Sequence, residues 1–304
     1  MSNPTPTNIA ASVEAKLKNI CKEQKVDFRF ILIRYANERF LYKLSISPFA
    51  DQFILKGGNL FIVWQNGMNF RPTVDADLLC TGNADEEYLK SIFLKVCTST
   101  NGDTDGILFD ESSLETSPIR DDTEYGGTRI VLTAYLGRAK IPLQFDIGIG
   151  DAITPAPETV KYPVLLNGEA PQIKIYPMVT AIAEKTETMV SRGTVNSRMK
   201  DFYDIWLLSE LFDHDFHILR QAVLNTFKRR AVSLPTTMPE SLTEEFYQSK
   251  MKQTQWNAFC RKNELQKSPE SFESAVLRIR NFLQPVFFTP KTPPKKWQAS
   301  KGWQ

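Results

Sequence analysis

The sequence predicts an α/β protein of the α+β kind: a mixed sheet core, an N-terminal helical lead-in and a mainly helical C-terminal domain. Three observations predict it. Apolar residues recur at helical spacing from residue 9 to 44, with Val13, Leu17 and Ile20 on one stripe and Phe30, Ile33, Ala36, Phe40 and Leu44 on a second. Between residues 128 and 147 the period falls to two, and Ile141, Leu143, Phe145 and Ile147 alternate with Pro142, Gln144 and Asp146. Beyond Pro177 only helical periods remain. A chain of 304 residues also suits two domains of about 150 residues each.

Each element follows from local pattern. The first seven residues hold two prolines and no period, so they read as a loose tail. Residues 1–50 are expected as N-terminal helices and 51–160 as the sheet core. Within the core, Phe53-Ile54-Leu55, Lys56-Gly57-Gly58-Asn59 and Leu60 to Trp64 read as strand, tight turn and helix. Tyr88 to Cys97 reads as helix, Asn101 to Asp105 as a turn, and Thr128 to Leu136 and Lys140 to Ile147 as strands. The sheet is expected to end near Pro155 to Pro157. Residues 161–288 form the helical domain, with helices near 178–192, 198–212, 215–230, 241–263 and 269–283. The last stretch, 289–304, has three prolines, four lysines and two tryptophans, and is expected to be a flexible basic tail.

Composition narrows the chemistry. Cys21, Cys80, Cys97 and Cys260 are scattered with no C-x-x-C pair, which argues against a disulfide framework and a structural zinc site. The only histidines, His214 and His217, lie in one short stretch, so triad catalysis is not expected. No apolar run reaches the roughly 18 residues of a membrane helix, and the start MSNPTPTN does not resemble a signal peptide, so a cytoplasmic location is expected. The net charge of +2 hides a division: residues 217–304 carry 15 basic against 6 acidic residues, and residues 1–216 carry 22 against 29. That asymmetry suits a polyanion-binding region joined to a region whose carboxylates hold metal; solvated helix faces are the alternative.

The segment from Lys56 to Asp77 is the most informative. Gly57 and Gly58 allow close approach of backbone to an anion, and a helix starting at Asn59 would aim N–H groups at a phosphate. Asp75 and Asp77, two apart in a strand, point to one face and suit shared Mg²⁺ ligation with nucleotide phosphates. Asp146, on the polar face of the alternating strand with Gln144, is the expected third carboxylate. Lys185 falls about 60° from Ile182 on a helix whose inward stripe is Val179, Ile182, Thr186 and Met189; it either snorkels to solvent or reaches a nucleotide phosphate. Asp201 shares a face with Ile205 and Leu208 and needs a partner there, either Arg198 or Lys185.

The runs FILKGGNLFIVWQNGMNFRPTVDADLL, PLQFDIGIGD and AIAEKTETMVSRGTVNSRMKDFYDIW resemble, in order and character, the AbiEii/AbiGii nucleotidyltransferases, toxin components of bacterial toxin–antitoxin and phage-abortive systems related to the mycobacterial MenT toxins. The resemblance spans about residues 28–212. It implies a polymerase-β-like nucleotidyltransferase core with an appended helical domain. It also implies an Mg²⁺-dependent transfer of NMP from an NTP to an RNA acceptor, the tRNA 3′ end, by a monomer with an AbiEi-type antitoxin as partner. Gly57 and Gly58 match the glycine motif, Asp75 and Asp77 the metal-binding D-x-D, Asp146 the third acid, Lys185 the later lysine, and Asp201 and Asp204 the two acids of K-D-F-Y-D. Thr73 stands where the family places Thr or Ser, and would orient a phosphate or serve control. One departure is the 16 residues between Gly58 and Asp75, more than in compact members of the superfamily.

On this reading Asp75, Asp77 and Asp146 are catalytic and bind two Mg²⁺ ions. Lys185 and Asp201 are also catalytic, Gly57, Gly58, Asn59, Thr73, Lys185 and Asp204 bind the nucleotide, and Lys228, Arg229 and Arg230 bind RNA. Alanine at Asp75 or Lys185 is expected to leave stability within about 1 kcal/mol, the scale for substitutions outside the core. The rival readings are an inactive RNA- or protein-binding module on the same fold and a metal-dependent nuclease.

Overall fold

The computed structural model describes residues 8–67, 71–99, 105–119, 126–263 and 265–304. The expected N-terminal tail and nearly all of the turn at 101–105 lie outside them. The chain forms two compact units, Met1–Gly150 with Glu158–Ile175, and Asp151–Pro157 with Tyr176–Gln304. The boundaries expected at residues 50 and 160 are therefore displaced. The N-terminal helices belong to the sheet unit, which also includes residues 158–175 with two further strands at its ends.

The first unit begins with α1 (Ile9–Gln24), capped by the Asn8 side chain, which accepts from the Ala11 N–H at 3.0 Å. Next comes α2 (Phe28–Ser45), capped by Asp27. The sequence suggests an amphipathic α2, yet Arg34, Asn37, Glu38, Arg39 and Lys43 are buried along with its apolar residues. Pairing makes this tolerable for three of them: Arg39 bonds Asp105 at 3.0 Å, Glu38 accepts from the Leu165 N–H at 2.8 Å, and Lys43 donates to the Ser99 carbonyl. Burial nevertheless pushes the Glu38 carboxyl up to about 7, against the lowering effect of the Leu165 hydrogen bond and of Arg39.

Seven strands form one mixed sheet: β1 (Phe53–Lys56), β2 (Asp75–Cys80), β3 (Ile107–Pro118), β4 (Thr128–Leu136), β5 (Ala139–Ile149), β6 (Glu158–Lys161) and β7 (Gln172–Ile175), in the order β3-β4-β5-β2-β1-β7-β6. The pairs β2–β5 and β1–β7 are parallel and the others antiparallel. Short α3 (Leu60–Trp64) follows β1, and α4 (Glu86–Thr98), capped by Asp85, follows β2. The alternation in β5 buries Ile141, Leu143, Phe145 and Ile147. There Phe145 meets Phe40 of α2 at 4.4 Å and Phe93 of α4 at 5.2 Å, and Phe40 stacks on Phe93 at 4.9 Å. This aromatic core fixes which face of the sheet is inward and leaves Gln144 and Asp146 on the other.

The second unit contains α5 (Met178–Arg192), α6 (Met199–Leu211), α7 (Phe216–Arg229), α8 (Glu244–Gln248), α9 (Lys250–Asn263) and α10 (Phe272–Phe287). The single helix expected over 241–263 is divided into a 3-10 turn, α8 and α9.

The expected flexible tail is instead folded. Here β9 (Lys296–Gln298) and β10 (Gly302–Trp303) make a three-stranded sheet with β8 (His214–Asp215). Trp297 is buried, donates its indole N–H to the Ser209 carbonyl at 2.8 Å and packs on Phe282, while Trp303 donates to the Phe282 carbonyl at 3.0 Å. The two indoles bury large apolar surfaces, which offsets the entropy of ordering a short proline-containing segment.

Candidate active site

The glycine turn is built around its neighbours. Gly57 has φ +68°, in the left-handed region, and a Cβ there would lie 1.8 Å from Asp77 Oδ2. A Cβ on Gly58 would lie 2.7 Å from Thr73 Oγ1. The missing side chains thus admit Asp77 and Thr73 against the turn. Asn59, expected at the nucleotide, is buried and donates from Nδ2 to the Asp75 carbonyl at 2.9 Å, tying the turn to β2. The helix that follows has only five residues, too short for the phosphate-binding helix end that the sequence suggested.

The parallel pairing of β2 with β5 places Asp77 opposite Asp146 and Asp75 opposite Gln144. Asp75, Asp77 and Asp146 each offer a carboxylate oxygen, and these lie within 4.8 Å of one another. They form the one such group of metal-ligating side chains among the described residues. Two residues not singled out in the sequence flank this region, one at the acids and one at the glycine turn. Arg129 of β4 pairs with Asp146 through two hydrogen bonds, Nε to Oδ1 and Nη2 to Oδ2, both 2.8 Å. Arg71 is buried, lies over the Phe61 ring and donates to Thr73 Oγ1 at 3.4 Å. No local signal marks Arg129, because its partner is 17 residues away and meets it only through strand register.

A second cluster lies within the helical unit. Lys185 of α5 reaches Asp201 at 3.0 Å and Asp204 at 2.8 Å on α6, and Arg198 reaches Asp201 at 2.6 Å. Both partners weighed for Asp201 are therefore realised. Both aspartates are fully buried, and Lys185 retains 13% side-chain exposure. Burial alone would raise the Asp201 carboxyl, but the Lys185 and Arg198 charges outweigh it and hold the group well below the carboxylate range. Asp201 and Asp204 present no surface to a nucleotide, so any effect they have passes through Lys185.

A family model described as the nucleotidyl transferase AbiEii toxin of type IV toxin–antitoxin systems matches residues 39–278. The chain belongs to the AbiEii family. Membership makes it a nucleotidyltransferase toxin of a toxin–antitoxin system and brings an antitoxin as partner. Among solved structures it is similar to JHP933 from Helicobacter pylori, at 12% identity over 84% of this chain and 92% of that one, with a TM-score of 0.48. It is also similar to a putative nucleotidyltransferase from H. pylori, at 14% identity over 82% and 91%, with a TM-score of 0.47. No curated protein matches it.

The expected RNA-binding run of this AbiEii chain is divided. Lys228 and Arg229 are exposed at the end of α7. Arg230 instead turns inward, bonded to Glu187 and near Glu184 at 3.8 Å and Asp151 at 4.0 Å. Its charge is consumed within the helical unit. His214 is buried, with its Nε2 3.2 Å from the Leu208 carbonyl, and burial pushes it down to about 4. All four cysteines are free thiols. Among the described residues no helix is long and apolar enough to cross a membrane.

Proposed function

We propose that this AbiEii nucleotidyltransferase moves NMP from an NTP to a hydroxyl of an RNA acceptor, the tRNA 3′ end, as the toxin of a phage-abortive system restrained by an AbiEi-type antitoxin. The convergence of Asp75, Asp77 and Asp146 carries the reading. An all-carboxylate oxygen donor set fits a hard divalent cation such as Mg²⁺ better than a soft one, and these three residues would hold it. Bound there, two such ions would supply activation of the acceptor oxygen and neutralisation of the leaving pyrophosphate.

The chain's own residues do the rest. Gly57 and Gly58 let Asp77 and Thr73 pack against the turn, and Asn59 holds β2 in place, so the acids keep their spacing. Lys185 is the proposed cation for the phosphates, and Asp201 and Asp204 are its positioning residues. In the reaction the acceptor oxygen bonds to the α-phosphorus, the bond to the bridging oxygen breaks, pyrophosphate leaves, and the acceptor proton passes to Asp146. The basic surplus of residues 217–304, with Lys228 and Arg229 exposed, supports an RNA acceptor.

The test is incubation with each α-labelled NTP and total tRNA in Mg²⁺. The expected outcome is label on tRNA from wild type and none from Asp75→Asn or Asp77→Asn. RNA cleavage without label would make the protein a nuclease, and neither outcome would make it a binding module.

A further inference from the structure

The sheet row through the third acid is charged across four neighbouring strands. Lys56 pairs in register with Asp77, Asp77 with Asp146, and Asp146 with Arg129. Directly paired residues share a face, so β1, β2, β5 and β4 present a cation, two acids and a cation side by side. Arg129 engages both oxygens of Asp146 in a fork, the strongest geometry available to a guanidinium and a carboxylate. Gln144 Nε2 adds contacts of 3.2 Å to Oδ1 and 3.4 Å to Oδ2. A carboxylate offers about four lone-pair positions, so the donors already on Asp146 leave little for another ligand. The two partners differ in access: the Asp146 side chain is 16% exposed and that of Arg129 is 41% exposed. The acid is sheltered and needs a compensating charge, whereas the guanidinium borders water and can be rehydrated once a divalent cation supplies that charge in its place.

We propose that Arg129 is a displaceable counter-ion of Asp146. It orients the third acid and offsets the mutual repulsion of three clustered carboxylates when no divalent cation is bound, and it competes with that cation for the same oxygens. The inference rests on the reading of Asp75, Asp77 and Asp146 as the cation site. It makes Arg129 a positioning residue that sets the cation concentration at which the site fills. The exchange is one of ligands, with no covalent change: a guanidinium fork opens on Asp146 and a divalent cation takes its place.

The test uses Mn²⁺ alone as the probe, titrated by calorimetry or electron paramagnetic resonance into the whole protein without nucleotide. Wild type, Arg129→Gln, Arg129→Met, Arg129→Lys and Asp75→Asn are compared. The two neutral variants are expected to bind Mn²⁺ about tenfold more tightly, the order of effect of removing a unit charge from beside a divalent ion, while Arg129→Lys, which keeps the charge, stays near wild type. The Mg²⁺ concentration for half-maximal transfer should fall in parallel. A merely structural arginine would not tighten cation binding when lost. Unchanged or weaker Mn²⁺ binding in Arg129→Gln and Arg129→Met overturns the proposal. Failure of wild type to bind Mn²⁺, or equal binding by Asp75→Asn, would instead overturn the cation site itself.

Discussion

Substitution of Gly57 by alanine separates two effects that glycine suppresses at the turn. At φ +68° an L-residue pays about 1–2 kcal/mol for the left-handed conformation. The added methyl would also lie 1.8 Å from Oδ2, 2.5 Å from Cγ and 2.8 Å from Cβ of Asp77, so the carboxylate must leave its position. Gly137, in the turn between β4 and β5, supplies the control. Its φ of +58° is similar, but a Cβ there meets nothing nearer than Ala10 Cβ at 3.7 Å. Gly137→Ala should therefore lose about 1–2 kcal/mol in urea denaturation and keep full nucleotide transfer. Gly57→Ala should lose a further amount of about 1–3 kcal/mol from overpacking, and its transfer should fall at least about a hundredfold because a misplaced group at a reacting centre costs that much. Mn²⁺ binding should weaken with it. Transfer by Gly57→Ala within a factor of two of Gly137→Ala would refute the claim that the glycine exists to seat Asp77.

Lys185→Ala should abolish transfer and, contrary to the expectation from sequence, cost about 3–5 kcal/mol, because it removes the ion pairs that Lys185 makes with the fully buried Asp201 and Asp204; a thermal melt near wild type would show that these pairs are not buried as described. Trp297→Ala should cost about 3–5 kcal/mol in chemical denaturation, the range for losing a buried large aromatic, whereas a loose tail would tolerate it. Glu38 tests pH dependence. Its carboxyl is raised in the folded state to about 7, so between the unfolded value of 4.5 and 7 the folded chain holds the extra proton, and stability from this group falls as pH rises. Glu38→Gln should remove that slope, on the order of 3 kcal/mol at most, and identical pH profiles for variant and wild type would contradict the raised value.

Much of the candidate site is legible in the sequence because its signals are local. The alternation from Ile141 to Ile147 already assigns Asp146 to the polar face, since burying four apolar side chains on one side leaves it no other. The two-residue spacing of Asp75 and Asp77 puts them on one face in the same way. The helical periods after Pro177 locate α5, α6, α7 and α10 closely. The edge strands are less legible. In β3 the run Asp110-Glu111-Ser112-Ser113 and a register shift break the alternation, and β6 is short and polar, as strands with one unpaired side tend to be.

What the sequence by itself determined is therefore the inventory: the fold class and the family, carried by local patterns and motifs in their order along the chain, and the face each acid takes, set by neighbours within a few residues. Only the tertiary structure decided which of these groups meet and which are spent elsewhere. Strand register brought Arg129 onto Asp146. The turn geometry set Gly57 against Asp77. Helix packing buried Asp201 and Asp204 behind Lys185 and drew Arg230 inward to Glu187, and two tryptophans anchored a segment that composition alone marks as loose. Charge and burial are properties of assembled surfaces, and partners far apart in the chain leave no mark on its local pattern.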